Sequence, residues 1–293
     1  MPNVCRPFDT HARREILSIQ TRDADQELKK EVEAFWQAAS CGEVYMDGSS
    51  LGDRLEAQAA ARYELEPYIF DFAKFSDGKA KKVLEIGVGM GADHLQWANA
   101  SPSHLIGIDL TQRALGFTHA RFLLNNLDAR LANADAECLP FRDEEFDIVY
   151  SWGVIHHSPD TPTAVREIRR VLRKGGVARV MIYHSRSVVG FLLWLRYGLF
   201  RAKPWLSLKH IYAQYLESPG TKAYSMTDAR ALFGGFSNVR MQVVLSAGDL
   251  LEGEAGQRHK GRLLIFARSI WPRSVLRRFA NKLGLFLMIE AVK

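Results

Sequence analysis

The chain has 293 residues, of which 47% are hydrophobic and 25% charged, a mixture and length that bury a core without disulfide or metal staples. Its three cysteines, Cys5, Cys41 and Cys138, form no C-x-x-C pair, and the first residues carry no apolar signal core, so a disulfide framework, a structural zinc site and secretion are disfavoured and a cytoplasmic setting is expected. The net charge is +6, and the acid-free stretches from His184 to Leu216 and between Glu254 and Glu290 are apolar as well as basic, which suits an amphipathic ligand or peripheral membrane contact more than a phosphate-tracking groove.

In chain order, Leu28, Val32, Phe35 and Trp36 recur at helical spacing within Asp23–Ala39, and Cys41-Gly42-Glu43 breaks the pattern. A second helix is expected over Leu51–Ala73 with a kink or break at Pro67. From Lys81 strands and helices alternate. Strands are expected at Val83–Ile86, His104–Leu110, Ala129–Asn133, Phe146–Trp152 and Val177–Tyr183, with helices at Gly91–Asn99, Gln112–Asn126 and Thr163–Leu172. Arg173-Lys174-Gly175-Gly176 should close the last of these helices with a left-handed glycine. An apolar and basic insertion, Ser187–Leu216, precedes a helix at Thr227–Phe233 capped by Thr227, and then a strand at Val239–Leu245. Either Leu263–Ala267 or Leu285–Val292 supplies a seventh strand; the second is favoured, with a basic helix between Pro272 and Leu283.

This alternation predicts a doubly wound, Rossmann-like α/β fold with a mostly parallel seven-stranded sheet. Residues 1–75 would form an N-terminal helical lid region. Residues 76–293 would form the main domain, with a helical cap insertion over 185–225 and a basic C-terminal segment.

Glu85-Ile86-Gly87-Val88-Gly89-Met90-Gly91-Ala92 is a glycine loop between a strand and a helix, where backbone N–H groups and a helix N-terminus can meet a ligand. Gly87, Gly89 and Ala92 also satisfy the dinucleotide pattern G-x-G-x-x-G/A, and Asp109 at the end of the second strand suits ribose hydroxyls in either case. An NAD-dependent oxidoreductase is therefore one reading. Glu85 tilts the choice, because an anion beside the loop repels a pyrophosphate and tolerates a cation such as S-adenosylmethionine.

At these residues the chain resembles the class I S-adenosylmethionine-dependent methyltransferases. Glu85–Gly91 resembles their first motif and Ile106-Gly107-Ile108-Asp109-Leu110-Thr111 the second. Ala134–Phe141, reading ADAECLPF, is similar to the "D-A-x-x-L-P-F" stretch of the ubiquinone and menaquinone branch, and Phe146–Val149, Gly153–His157 and Glu167–Gly176 continue the match over residues 81–184. The resemblance implies that Gly87 and Gly89 border the methionine part of S-adenosylmethionine. It implies that Asp109 holds the ribose, with Leu110 against the adenine. Asp135 and the Ala136 N–H would reach the adenine edge, and Ser151 and Trp152 would line the cofactor near its methyl. Glu85 and Gly91 complete the cofactor set. Phe35-Trp36 and Cys41-Gly42 resemble a segment that folds over the cofactor, although Gln37-Ala38-Ala39-Ser40 departs from its usual form.

Methyl transfer is an in-line displacement at an already activated carbon, so the protein chiefly positions the acceptor, and a base helps only where a proton must leave. His156 and His157 are the candidate catalytic residues, followed by Tyr183 and His184 and then Tyr45 and Tyr63 on the lid. Adjacent histidines without a carboxylate pattern give no metal site. The acceptor is expected to be a small, apolar or amphipathic molecule. A nucleic-acid methyltransferase is a rival, but the fourth strand ends Tyr150-Ser151-Trp152-Gly153, not in an Asn/Asp-Pro-Pro-Tyr/Phe motif, and nucleic acid is disfavoured as a partner. The non-catalytic alternative is a peripheral membrane protein on a methyltransferase-like scaffold.

Overall fold

The computed structural model describes residues 10–252, 269, 271–279 and 282–293, and, Phe279 apart, the side chains of that set from residue 23 onward. The first helix, α1 (Thr10–Ala38), begins earlier than its apolar spacing suggests. α2 (Leu51–Leu65) starts at a reciprocal capping box between Ser50 and Asp53. It ends where expected: Pro67 offers no N–H to continue the ladder, and α3 (Tyr68–Ala73) begins immediately after it.

The alternating region then delivers β1 (Lys82–Ile86), α4 (Ala92–Asn99), β2 (His104–Asp109), α5 (Gln112–Leu124), β3 (Leu131–Asn133), β4 (Phe146–Trp152), α6 (Thr161–Val171) and β5 (Leu172–Tyr183). The insertion forms α7 (Val188–Tyr197) and α8 (Leu208–Ile211), which widens into a π turn over Tyr212–Leu216. α9 (Met226–Leu232), β6 (Asn238–Val244), α10 (Arg273–Phe279) and β7 (Phe286–Val292) follow.

Among the described residues the sheet has seven strands, in the order β3-β2-β1-β4-β5-β7-β6. β1 to β5 are parallel, and β7 runs antiparallel to both of its neighbours, so it is the lone reversed strand. Leu285–Val292 is thus the seventh strand, as favoured; the alternative at Leu263–Ala267 lies outside the described residues.

Two local expectations are corrected. The N-cap of α9 is Ser225, whose side chain takes the Asp228 N–H while Asp228 returns to the Ser225 backbone; Thr227 sits inside the first turn, where its own hydroxyl is not needed. Residues 173–176 join β5 instead of standing as a separate helix cap. Pairing with β4 resumes after a register shift opposite Phe146 and Ile148, with Gly175 at φ +74° absorbing the irregularity.

The central strands are buried on both faces. One face packs Leu84, Ile86, Val149 and Val180 against Ala164, Val165 and Ile168 of α6 and Ala229 and Phe233 nearby. The other packs Val83, Ile148 and Tyr150 against Ile69, Ala73, Phe75 and Trp97. The insertion has its own cluster, in which Leu193, Ile211, Tyr212 and Leu216 pack on Met181, Tyr183 and Phe286 at the carboxyl end of the sheet. Strand order reverses between β2 and β4 around β1, so the open crevice of the sheet lies at the carboxyl ends of β1 and β4.

Candidate functional site

A cavity of about 260 Å³ occupies that crevice. Its floor is the β1–α4 loop. Gly87 takes φ +80°, and a Cβ there would stand 2.1 Å from Val154 Cγ2, so only glycine fits the turn. Gly89 takes φ +53°, and a Cβ there would meet nothing within 4 Å; this backbone faces open space where a ligand can approach it. Asp109 closes the loop from β2, accepting the N–H of Gly89 (3.1 Å) on one oxygen and the N–H and hydroxyl of Thr111 (both 2.9 Å) on the other. A carboxylate offers about four acceptor sites, so the three bonds leave room for a ligand hydroxyl.

Glu85, Gly87, Gly89, Asp109, Leu110, Asp135, Ala136 and Trp152 line this cavity, and so does His157. Gly91, Ser151 and His156, also expected at the site, lie outside its wall. Gly91 is the left-handed N-cap of α4, and its missing Cβ would point at Thr118 of α5. Ser151 shares the β4 face of Val149, which packs toward α6, whereas Trp152 follows Tyr150 on the opposite face. His156 is fully buried, its ring 4.0 Å from that of Tyr183 and 4.2 Å from that of His157, with neither nitrogen hydrogen-bonded. Burial, with the charges of His157 and Lys222, pushes it well below the ordinary histidine range, so it stays neutral.

Glu85 behaves differently from a fixed anion. It is 2% exposed and lies 2.9 Å from Nδ1 of His94, which burial pushes down to about 3 and so keeps neutral. Burial, reinforced by Asp93 and Asp109, raises the Glu85 carboxyl well above its usual range. A cation in the cavity lowers that value again and an anion raises it further, so the preference for a cationic ligand survives in a modified form.

Several groups escape sequence reasoning because their partners are far away in the chain. Asp93, at the start of α4, is buried and accepts four bonds: from Nε and Nη2 of Arg62 (3.0 and 2.6 Å), from the Tyr63 hydroxyl (3.1 Å) and from the Tyr150 hydroxyl (2.7 Å). Burial opposes its ionisation, but the Arg62 charge and these bonds hold its carboxyl below the usual range. Tyr63, a weak candidate for chemistry, is thereby a structural donor on this hub. Tyr45 closes the short turn Glu43–Tyr45 and is not in the cavity wall. His184 is buried with Nδ1 3.2 Å from the Gly284 carbonyl, also outside the wall.

Glu66, beside Arg62, accepts from the Trp152 indole at 3.2 Å, and burial pushes its carboxyl up to about 7. The native state then holds a proton that the unfolded chain releases, so the contribution of Glu66 to stability is greatest below the ordinary carboxyl value of 4.5 and falls as pH rises toward 7. Glu66→Gln should remove that slope and raise stability at pH 8 by up to about 3 kcal/mol. Denaturant titrations at pH 5 and pH 8 check this; parallel profiles for both proteins would contradict it.

The far end of the cavity is aromatic and acidic. Trp36, Trp152, Tyr183 and Phe286 line it together with Met181 and Glu217. Glu217 follows the π turn of the insertion. It accepts the Tyr183 hydroxyl at 2.7 Å and lies 3.5 Å from Nε2 of His157. Nδ1 of His157 lies 2.8 Å from Ser218 Oγ and 3.2 Å from Thr221 Oγ1. The carboxylate absent from the sequence neighbourhood of the histidine pair thus arrives from the insertion, and potential ligand atoms of His156, His157 and Glu217 come within 4.8 Å of one another. α1 covers the other side: Lys29 pairs with Asp135 (2.5 Å) and Glu137 (2.6 Å), and Trp36 stands 5.3 Å from the His157 ring.

Comparison with known proteins agrees with this geometry. The "Methyltransferase domain" family matches residues 84–180. The phthiotriol/phenolphthiotriol dimycocerosates methyltransferase 2 of Mycobacterium ulcerans is 38% identical over 103 residues, 34% of this chain and 39% of that protein. The 27-O-demethylrifamycin SV methyltransferase of Amycolatopsis mediterranei is 33% identical over 97 residues, 32% of this chain and 36% of that protein. The chain thus matches well under half the length of these relatives. Among solved structures, Haemonchus contortus phosphoethanolamine N-methyltransferase 2, in complex with phosphomonomethylethanolamine and S-adenosylhomocysteine, superposes with a TM-score of 0.50 at 17% identity, covering 84% of this chain and 60% of that one. Motifs, sheet order and the match over residues 84–180 thus agree in their likeness to class I methyltransferase domains.

Proposed function

We propose that this protein transfers a methyl group from S-adenosylmethionine to a small, apolar or amphipathic acceptor. The observation that carries the reading is the two-ended cavity. A glycine loop with Asp109 and Asp135 stands at one end. At the other stand aromatic walls with a single histidine–carboxylate pair. The first end suits the cofactor: Gly89 leaves open space, Asp109 keeps an acceptor site for a ribose hydroxyl, and Asp135 and Ala136, which line the same cavity, are assigned to the adenine edge. Bound there, S-adenosylmethionine supplies an electrophilic methyl. α1 with the turn after it is the lid over this end, latched by Lys29 on Asp135 and Glu137 and by Arg113 on Glu43. The insertion is the cap over the acceptor end.

The chain's own contribution is to place the acceptor atom in line and to take its proton. The Thr221 hydroxyl donates to the Ser218 carbonyl at 2.6 Å, so its oxygen accepts from Nδ1–H of His157, and Ser218 Oγ at 2.8 Å accepts the same proton in the tautomer that acts as a base. In that tautomer Nε2 of His157, buried and without a hydrogen bond, keeps its lone pair, and the Glu217 carboxylate at 3.5 Å stabilises the imidazolium that forms. Burial and the neighbouring Glu217 charge push the Tyr183 hydroxyl well above its usual range, so it remains a donor that fixes Glu217 in place. The relatives' names, a phthiotriol dimycocerosate and a demethylrifamycin, are in keeping with a small-molecule acceptor and not with a nucleic acid.

The cofactor half is tested by Asp109→Ala. The ribose hydroxyls would lose a charged acceptor worth about 1.5–3 kcal/mol, so calorimetry should show affinity for S-adenosylmethionine falling about tenfold or more. Unchanged affinity in a folded variant would overturn the assignment.

A further inference from the structure

We propose that the outer surface of the insertion, from α7 to the start of α8, docks on an anionic lipid bilayer. α7 buries Gly190 and Leu193 against the sheet and leaves Phe191 55% exposed. The chain then turns through Leu199–Trp205, where all seven residues are exposed, with Phe200 at 74% and Trp205 at 75%. Arg196, Arg201, Lys203 and Lys209 are exposed among them, and no acid occurs from His184 to Leu216 to neutralise them. Arg196 and Arg201 lie over the Tyr197 ring, each 5.3 Å from its centroid. The patch continues at Leu283, 48% exposed, whose carbonyl accepts the Val188 N–H that opens α7.

Two features select a bilayer. Large aromatic side chains at a loop tip lose water only by entering an apolar phase, and Trp and Phe settle at the level of lipid headgroups. Cations flanking them are attracted by anionic headgroups, and the segment His184–Leu216 itself carries no anion to be repelled. A nucleic acid would use the cations and leave Phe200 and Trp205 in water. A two-fold pairing of copies through this patch would set the cations of each copy against those of the other. No described helix is long and apolar enough to cross a membrane, so the contact is with the surface. The inner side of the same insertion carries Tyr212, Leu216 and then Glu217 at the cavity. Docking therefore brings the acceptor end to the lipid, a consequence that rests on the methyl-transfer reading, whereas the docking itself does not.

The test is co-sedimentation of the full chain with vesicles of phosphatidylcholine alone or mixed with phosphatidylglycerol. Partition into the mixed vesicles should exceed that into neutral ones and weaken at high salt. It should fall about tenfold or more in the double variant Phe200→Ser/Trp205→Ser, and clearly in Arg201→Gln/Lys203→Gln. All four side chains are exposed, so circular dichroism and calorimetric affinity for S-adenosylmethionine should match the parent; loss of cofactor affinity in the parent itself would strike the methyl-transfer reading and leave docking standing. Three results would overturn the proposal: no partition of the parent into anionic vesicles, partition indifferent to Phe200 and Trp205, or a dimer in ultracentrifugation that the Phe200→Ser/Trp205→Ser variant dissolves.

Discussion

Asp93→Ala is expected to lower folding stability by about 3–5 kcal/mol, the usual cost of stripping one partner from a buried ion pair. Asp93 is 3% exposed and ties α2, through Arg62 and Tyr63, to β4, through Tyr150. Its removal leaves the Arg62 guanidinium facing only Glu66, 3.5 Å away, and orphans two tyrosine hydroxyls. Asp93→Asn keeps the volume and some acceptor capacity, so it should lose less. The parent should also weaken in acid. Because the Asp93 carboxyl lies below its unfolded value, its contribution is present above about pH 4 and is lost as pH falls through the lower native value. Denaturant midpoints from pH 7 down to pH 3 check both points; a variant as stable as the parent would show that the hub carries no weight.

His157→Ala is expected to reduce turnover about 10²–10⁴-fold while leaving affinity for S-adenosylmethionine unchanged, the signature of a group that handles the acceptor's proton. His157 is 5% exposed and is held by Ser218 and Thr221 on one nitrogen with Glu217 near the other, so its geometry is fixed before any acceptor arrives. Glu217→Gln should lower turnover in the same direction by a smaller factor, since the imidazolium loses its counter-charge. His156→Gln, outside the cavity wall, should act on stability more than on turnover. If the His156 variant lost turnover with stability intact and the His157 variant did not, the roles assigned to the pair would be reversed.

Much of this was legible in the chain because the signals are local. Strand β4 at Phe146–Trp152 and the break at Pro67 depend on neighbours within a few residues. Asp109 and Asp135 follow the same logic, since each stands at the carboxyl end of a strand whose position periodicity already gives. The misses have physical causes. Ser225 outcompetes Thr227 as a cap because Asp228 stands three residues on to complete the box. Ser151 and Trp152 alternate across β4, and without knowing which face meets the crevice both look equally placed. Arg62, Glu66, Asp93 and Glu217 belong to no spaced motif; they meet only when α2, α4 and the insertion fold onto the carboxyl end of the sheet. Glu217 is the clearest case, sixty residues beyond the histidine it serves.

The central claim, transfer of the cofactor's methyl to a small apolar or amphipathic molecule, is tested most directly by label transfer. The purified protein is incubated with methyl-labelled S-adenosylmethionine and an extract of the cells that carry it, and the products are partitioned between organic solvent, nucleic acid and protein. The account predicts label in the organic-soluble fraction that His157→Ala and Asp109→Ala leave at background. Label accumulating in nucleic acid or protein, or an organic-soluble signal unchanged in both variants, would contradict it.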